Sequence, residues 1–417
     1  MHRPRSLAIP LISTTLVGLT VLWAFPEGLG FWRSVAIVSG WAGCGLLVAS
    51  LLLMIREARL AAWLGGLESM YRWHHRLGVS AYLVLLVHPL ALAAAGLAES
   101  PALAWAMLAP WQQGWPVWLG WAALLCLMTG LALALSPTML YARWRGLHNL
   151  LALAIVLSLG HLLLLGLDYL LLWSPLLALT FILWRFLRAD FGLAAHPYIV
   201  ARVDHPSAEV VEVRLQPLAR PLAARPGQFV LAAFLDGSGF HGCGEYHPYT
   251  ISGIAPGGEI ALDIKALGDC TSHLQAIVPG VAVRIEGPFG DFLGDPPAGP
   301  QLWLAGGIGI TPFLGVLRSG PLRYPARLVY LHRNDTDAAF RDELAALATA
   351  EPRLALHVVA CGDRLPDLAA VLPAATALAG HDCYVCGPPG LLTAAVRILQ
   401  QRGVRLAHIH FEHFDFR

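Results

Sequence analysis

Four histidines stand inside apolar runs long enough to be membrane helices, and they are the residues of this 417-residue chain best placed to do chemistry. His74 and His88 lie 14 residues apart in one run, and His148 and His161 lie 13 apart in another. An ionisable group at such depth is costly to hold and is a functional candidate by default. Neutral imidazole is the commonest metal-ligating side chain and a usual axial ligand of haem iron. At about 1.5 Å of rise per residue, the spacings correspond to about 21 and 19.5 Å along a helix. Two helices thus offer imidazoles at two matching depths. Each depth has the two ligands that one haem b needs, and two haems so held would stack along the membrane normal. Fourteen steps of about 100° bring His88 within about 40° of the His74 face, whereas thirteen leave His161 about 140° from that of His148. His75 keeps the shorter spacing and is the rival of His74. A single histidine in such a run reads most simply as a buried group bonded to a neighbouring span; four at two matched depths read as metal ligands.

The elements that must position them are transmembrane helices. Six apolar stretches of about 20 residues are long enough to cross a bilayer, at positions 7–25, 34–55, 75–97, 115–135, 147–166 and 168–188. Arginines fall on alternate sides. Arg3, Arg5, Arg56, Arg59, Arg72, Arg76, Arg143, Arg145, Arg185 and Arg188 fall on one side, and Arg33 alone on the other. The positive-inside rule then places both termini and the C-terminal half in the cytoplasm of a cell whose inner membrane holds the spans. His74 and His148 lie at the cytoplasmic level, His88 and His161 deeper. Positions 1–25 read as a retained first span, because no small-x-small cleavage site follows the apolar run.

Beyond about position 190 the composition changes. Short β-branched runs alternate with Gly and Pro turns up to about position 300: Tyr198-Ile-Val, Glu209-Val-Val, Gln228-Phe-Val, Glu259-Ile-Ala and Val281-Ala-Val. This predicts an antiparallel barrel. From Gln301 onward buried strands alternate with helical stretches such as 338–350, an α/β nucleotide-binding layout. The expected domains are 1–190, 191–299 and 300–417. The net charge is +1 and the basic residues are scattered, which excludes a nucleic-acid partner. Seven cysteines without regular spacing give no disulfide framework, and five of them fall in the half assigned to a reducing cytoplasm. Cys383-Tyr-Val-Cys386 spells C-x-x-C but has no second such pair to complete a zinc site. His241, Cys243 and His247 read as a loop with incidental ligand types.

The soluble half carries five further motifs: His247-Pro-Tyr-Thr-Ile-Ser252, Gly268-Asp-Cys-Thr271, Gly306-Gly-Ile-Gly-Ile-Thr-Pro312, Cys386-Gly-Pro-Pro-Gly390 and the tail Phe411-Glu-His-Phe-Asp-Phe-Arg417. With these, and with His74-x-x-x-Gly78, His88-Pro89, His148 and His161, the chain resembles the ferric reductase and NADPH oxidase superfamily over nearly its whole length. The resemblance implies a six-helix haem domain joined to a ferredoxin–NADP reductase-like module of FAD barrel and NAD(P)-binding α/β domain. It implies that His247 approaches the FAD phosphates, that Tyr249 lies along the flavin, and that Thr250 bonds near its reactive nitrogen, with Pro248 and Ser252 completing the motif. Gly268 and Thr271 would form the pyrophosphate turn, with Lys265, the chain's one lysine, facing a phosphate or solvent. Gly306, Gly307, Gly309, Thr311 and Pro312 would approach the dinucleotide pyrophosphate. Cys386, Gly387 and Pro388 would sit beside the nicotinamide. Arg333 would meet a 2′-phosphate, favouring NADPH over NADH. Glu412 and Phe414 would cover the flavin ring, with Phe416 as the alternative to Phe414. Arg225-Pro-Gly-Gln-Phe229 and Gly287-Pro-Phe-Gly290 resemble barrel turns flanking the flavin.

The activity so implied is electron transfer from NAD(P)H through FAD and two haems to an acceptor across the bilayer, either oxygen or a ferric chelate. Two other outcomes stay open at this point: delivery of electrons to a protein partner or quinone, and a transporter or sensor without haem. The Trp-rich segment 98–116 would cap the outer haem. Arg72, Arg76, Arg143 and Arg145 are candidates for inner haem propionates, or simply obey the positive-inside rule. No calcium-binding loop or regulatory domain is visible and no obligate protein partner is evident, so the expected activity is constitutive.

Overall fold

The computed structural model describes residues 25–135, 141–166, 173–294, 299–334, 337–362, 364 and 366–412, with isolated positions between 11 and 23. The N-terminal region is helical. Its helices are α1 (Phe31–Leu52), the short α2 (Ala58–Trp63), α3 (Leu67–Leu97), α4 (Pro101–Leu108), α5 (Trp115–Ala134), α6 (Tyr141–Leu164) and α7 (Trp173–Arg185). Among the described residues, four helices are long and apolar enough to cross a membrane: α1, α3, α5 and the part of α6 from Gly146. Of the six expected spans, the first falls where only isolated positions are described. The sixth corresponds to the 13-residue α7, and 167–172 lie outside the described residues. Leu83, Leu90 and Leu125 are exposed, as lipid-facing side chains must be. Contacts between helices use small residues, which let backbones approach closely. A Cβ at Gly43 of α1 would lie 2.4 Å from the Leu85 side chain of α3, and one at Gly130 of α5 would lie 2.6 Å from Leu151 of α6.

Residues 196–289 form a closed six-stranded antiparallel barrel in the order β1-β2-β5-β4-β3-β6. Its strands are β1 (His196–Ser207), β2 (Val210–Pro217), β3 (Phe229–Phe234), β4 (His247–Ile254), β5 (Ile260–Lys265) and β6 (Ala282–Phe289). Five match the β-branched runs, and the sixth, β4, is the His247 motif itself. Val213, Leu215, Val230, Ile251, Leu262 and Ile285 fill the interior. A short helix, α8 (Asp269–His273), follows β5.

The C-terminal region is a parallel five-stranded sheet in the order β11-β10-β7-β8-β9. Its strands are β7 (Gln301–Gly306), β8 (Ala326–His332), β9 (Leu354–Ala360), β10 (Asp382–Cys386) and β11 (Ile409–Glu412), and its main helices are α9 (Thr311–Arg318), α10 (Arg341–Ala350) and α11 (Pro389–Gln401). The helix expected from position 338 starts at Arg341, because Phe340 adopts φ 66° and blocks earlier helical turns. The sheet is buried on both faces, so its strands read as continuous apolar runs. Cys383 belongs to one face and Cys386 to the other. Three residues apart on a strand, their sulfurs point opposite ways, so the C-x-x-C is neither chelate nor redox pair.

An apolar seam and an arginine cluster are among the contacts that join the regions. Phe229, Leu231 and Phe289 of the barrel pack with Leu64, Leu67, Met70 and Leu77 at the N-terminal end of α3 and beside it. Arg318, at the end of α9, donates to both Glu343 oxygens at 2.7 and 2.8 Å, to Glu212 of the barrel at 2.7 Å and to the Ser252 carbonyl at 3.3 Å.

Candidate functional site

The four histidines are held by their neighbours in a way that suits metal ligation. His74 Nδ1 lies 2.8 Å from Ser50 Oγ and 2.9 Å from the Ser50 carbonyl. His88 Nδ1 lies 2.8 Å from the Ala36 carbonyl, and His161 Nδ1 2.8 Å from the Pro116 carbonyl. A carbonyl oxygen only accepts, so in each ring Nδ1 carries the proton and donates it. That leaves the Nε2 lone pair for a metal, with the ring fixed in orientation. His148 Nδ1 has no hydrogen-bond partner among the described residues; its ring stacks on Trp144 at 4.9 Å. The His74 and His148 rings are 6.1 Å apart. Two metal–nitrogen bonds of about 2.0 Å plus two ring-centre offsets of roughly 1.1 Å come to about 6 Å. The pair therefore fits a single iron between them, as in a bis-histidine haem. His75 is exposed.

Space for the deeper pair comes from glycine. A Cβ at Gly40 would lie 3.2 Å from His88 Nδ1, and one at Gly120 would lie 3.0 Å from His161 Cε1. His161 thus backs onto α5 while His148 faces α3, which is where the 140° offset of a 13-residue spacing leads. His161 is within electrostatic reach of His88. Arg185 of α7 is within reach of both His74 and His148. Arg72 pairs with Glu68, and Arg76 lies 5.4 Å over the Trp73 ring. No motif in the sequence marks Ser50, Gly40 or Gly120. Isolated glycines within apolar helices were the available signal, since each costs about 1 kcal/mol against Ala and asks for a packing reason.

In the barrel, β4 carries the His247 motif. Tyr249 is buried among the core side chains, edge-on to Phe234 at 6.1 Å. Its hydroxyl is sealed from water with no hydrogen-bond partner among the described residues, an orphan that a bound polar group would satisfy. Thr250 is buried on the alternate face opposite Phe229. Ser252 donates to the Ala261 carbonyl at 3.2 Å. His247 lies 3.6 Å from Glu245, and burial lowers its basicity. Thr271 closes the Gly268 turn on itself: its Oγ1 accepts from the Leu267 and Gly268 amides, both at 2.9 Å, and donates to the Gly268 carbonyl. Lys265 pairs with Glu209 at 3.3 Å. The turns 225–229 and 287–290 are tied by Gln228, which accepts from the Arg225 amide at 2.9 Å and donates to the Gly290 carbonyl at 3.1 Å. Cys243 and Cys270, left unpaired by the spacing argument, are joined in a disulfide. Their 27-residue separation carried no signal, because the barrel closure alone brings the two loops together.

In the α/β domain the two glycine motifs meet. A Cβ at Gly309 would lie 2.4 Å from the Cys386 carbonyl, and one at Gly306 would lie 2.6 Å from Leu391. Gly307 has φ +56°. The loop after β7 and the Cys386-Gly387-Pro388 loop after β10 therefore touch backbone to backbone at the carboxyl ends of adjacent strands, the usual ligand position in an open α/β sheet. Thr311 donates to the Ile308 carbonyl at 3.1 Å, and Pro312 follows it in the first turn of α9. Arg333 follows β8, with Asp337 at 4.0 Å.

The three regions converge at Glu412. It pairs with Cys386 in the β10–β11 register. Gly290 of the barrel leaves it room, since a Cβ there would lie 3.1 Å from Glu412 Oε1. Burial, and then the Glu68 charge from α3, push its carboxyl up to about 8. Burial, and then Glu412, push the Cys386 thiol well up. Phe414 and Phe416 lie outside the described residues.

Comparisons with known proteins divide the chain the same way. Residues 39–159 match the ferric reductase like transmembrane component, 195–292 an FAD-binding domain and 303–397 an oxidoreductase NAD-binding domain. The reductase component of the naphthalene 1,2-dioxygenase/salicylate 5-hydroxylase systems of Ralstonia sp is 29% identical over 232 residues, 52% of this chain and 67% of that protein. The carnitine monooxygenase reductase subunit of Escherichia coli (strain K12) is 36% identical over 158 residues, 37% of this chain and 47% of the relative. Among solved structures, the FAD/NAD-binding domain of nitric oxide dioxygenase from Vibrio cholerae O1 biovar El Tor covers 52% of this chain and 98% of its own, with 23% identity and a TM-score of 0.45. A ferric reductase-like membrane component followed by FAD- and NAD-binding domains makes this chain an NAD(P)H oxidoreductase of the ferric reductase and NADPH oxidase superfamily, with a ferredoxin reductase-like module.

Proposed function

We propose that the chain moves electrons from cytoplasmic NAD(P)H, through FAD and two b-type haems, to an acceptor on the far side of the cell membrane. The observation that carries this reading is the pair of histidine levels, at which three of four imidazoles have Nδ1 tied to a backbone carbonyl and so present Nε2. When bound, FAD accepts hydride and releases single electrons, and the haems relay them. The chain supplies position and electrostatics. His74 and His148 would hold the inner haem with Arg185 near its propionates, and His88 and His161 the outer one. Tyr249, Thr250 and His247, with the Gly268–Thr271 turn, would hold FAD. The backbone-to-backbone junction of Gly306, Gly307 and Gly309 with Gly387 would admit the dinucleotide, and Arg333 its 2′-phosphate, which favours NADPH over NADH. Cys386 and Glu412 would flank the nicotinamide–flavin junction and keep water out. Packing of Phe229 and Phe289 beside the His74 end of α3 supports delivery to the inner haem first.

Oxygen is the favoured acceptor. A cavity of about 100 Å³ opens from one to about three helical turns beyond His88, lined by Arg33, Leu92, Gly96, Glu99 and Met107. Ligand pockets for larger molecules run to about 300 Å³ or more, so its size suits a diatomic better than a chelated iron. Within the segment 98–116, Trp105 and Trp111 lie edge to face at 6.0 Å. The test is haem stoichiometry and spectra of the detergent-purified holoprotein, with superoxide-specific detection set against ferric reduction, with and without oxygen. Two haems per chain, one lost in His88→Ala or His161→Ala, is the expected result. No haem in the holoprotein sinks the reading, and ferric reduction undiminished by oxygen sinks the choice of acceptor.

A further inference from the structure

The loop 235–246 between β3 and β4 and the turn 266–271 after β5 are far apart in sequence but meet at Cys243 and Cys270. Their Cα atoms are 5.8 Å apart, inside the range that a disulfide spans without backbone movement. Local contacts besides the bond hold each position. Around Cys243, the Gly242 amide donates to Asp236 at 3.0 Å and the Gly244 amide to the Phe234 carbonyl at 3.0 Å. A Cβ at Gly242 would lie 2.2 Å from that same carbonyl, so this arm of the loop runs close to the end of β3. Cys270 packs against the barrel core, and its turn is closed by Thr271. The two sulfurs and one His247 ring nitrogen lie within 4.8 Å of one another. His247 opens the β4 motif, and Thr271 adjoins Cys270.

We propose that Cys243 and Cys270 form a reversible dithiol–disulfide pair that clasps the FAD cradle, tying loop to turn and slowing FAD release when oxidised, and letting them part when reduced. This rests on the reading that β4 and the Gly268–Thr271 turn hold FAD. The oxidant is a hydroperoxide. One thiolate attacks its O–O bond, giving a sulfenic acid and, with a proton, water or an alcohol. The second thiol then displaces the sulfenic oxygen, which leaves as water as the S–S bond forms. The two thiols lose two electrons and two protons, and the hydroperoxide takes both.

The experiment compares holoenzyme treated with hydrogen peroxide and with a phosphine reductant. Peptide mapping after thiol alkylation reads the bond, and recovery of free-flavin fluorescence on dilution reads FAD release. The expected result is a 243–270 linked peptide after peroxide only, and FAD release about five- to tenfold slower in that state, the low end of ordinary coupling between sites. Cys243→Ser and Cys270→Ser should release FAD at the reduced rate whatever the treatment. The wild-type comparison stands by itself should either variant fail to fold. Free thiols at both positions after peroxide, equal release from both states, or one tightly held zinc per chain that Cys243→Ser loses would each overturn the clasp. Failure of the cradle reading shows separately, as full FAD retention in Tyr249→Ala and Thr250→Ala, and takes the clasp with it.

Discussion

Three of the four imidazoles are each held by a backbone carbonyl. Ser50 touches His74 Nδ1 through both its hydroxyl and its carbonyl. Ser50→Ala removes the hydroxyl contact and keeps the carbonyl. Partners of this kind are worth about 10- to 100-fold in metal affinity or activity, so the variant should show a shifted inner-haem spectrum and weaker haem retention, checked by redox-titrated absorbance. Gly120→Val should act on the outer level alone, because its side chain would press on the His161 ring; one haem lost and one kept is the expected count. Glu412 makes a pH prediction. Its native carboxyl titrates near 8 against an ordinary 4.5, so the native state favours the protonated form. The stability this brings is complete below 4.5, falls as pH rises through about 8, and is flat above. Glu412→Gln should flatten that decline, read as thermal unfolding temperature from pH 6 to 9.

At the scale of elements, the dinucleotide junction is two loops that share one space. Gly309→Ala puts a Cβ against the Cys386 carbonyl, a backbone contact with no flexible side chain to yield. Overpacking of this sort costs about 1–3 kcal/mol. The variant should raise the KM for NAD(P)H while FAD content stays that of the parent, measured by steady-state kinetics and flavin absorbance. The α/β sheet and the barrel show why such junctions recur: parallel strands end their carboxyl termini on one edge, so loops distant in sequence converge there.

For the whole molecule, the Arg318 contacts decide how the two soluble domains face each other. Arg318 bridges Glu343 of its own domain to Glu212 of the barrel. Asp263 lies buried nearby, its carboxyl raised by burial and then by the Glu212 charge. Removing one member of a buried ion cluster costs about 3–5 kcal/mol, because the others are left uncompensated. Arg318→Met should lower the thermal unfolding temperature and slow flavin reduction by NAD(P)H in stopped flow, with haem content unchanged. A rate equal to the parent's would mean that the interface tolerates the loss.

The histidine spacings, the apolar runs, the strand alternation and the glycine motifs are local or periodic properties, and the sequence by itself determined them: the order of a helical region, a barrel and a parallel sheet, and the motif residues within each. Local patterns reveal which face a residue shares, not what stands opposite. Tertiary structure alone decided that Arg185 lies beside the His74–His148 pair, that Gly40 and Gly120 clear room for the deeper rings, and that Cys243 meets Cys270. Each of these pairs residues far apart along the chain, and barrel closure and helix packing set their separation where no periodicity of the sequence records it.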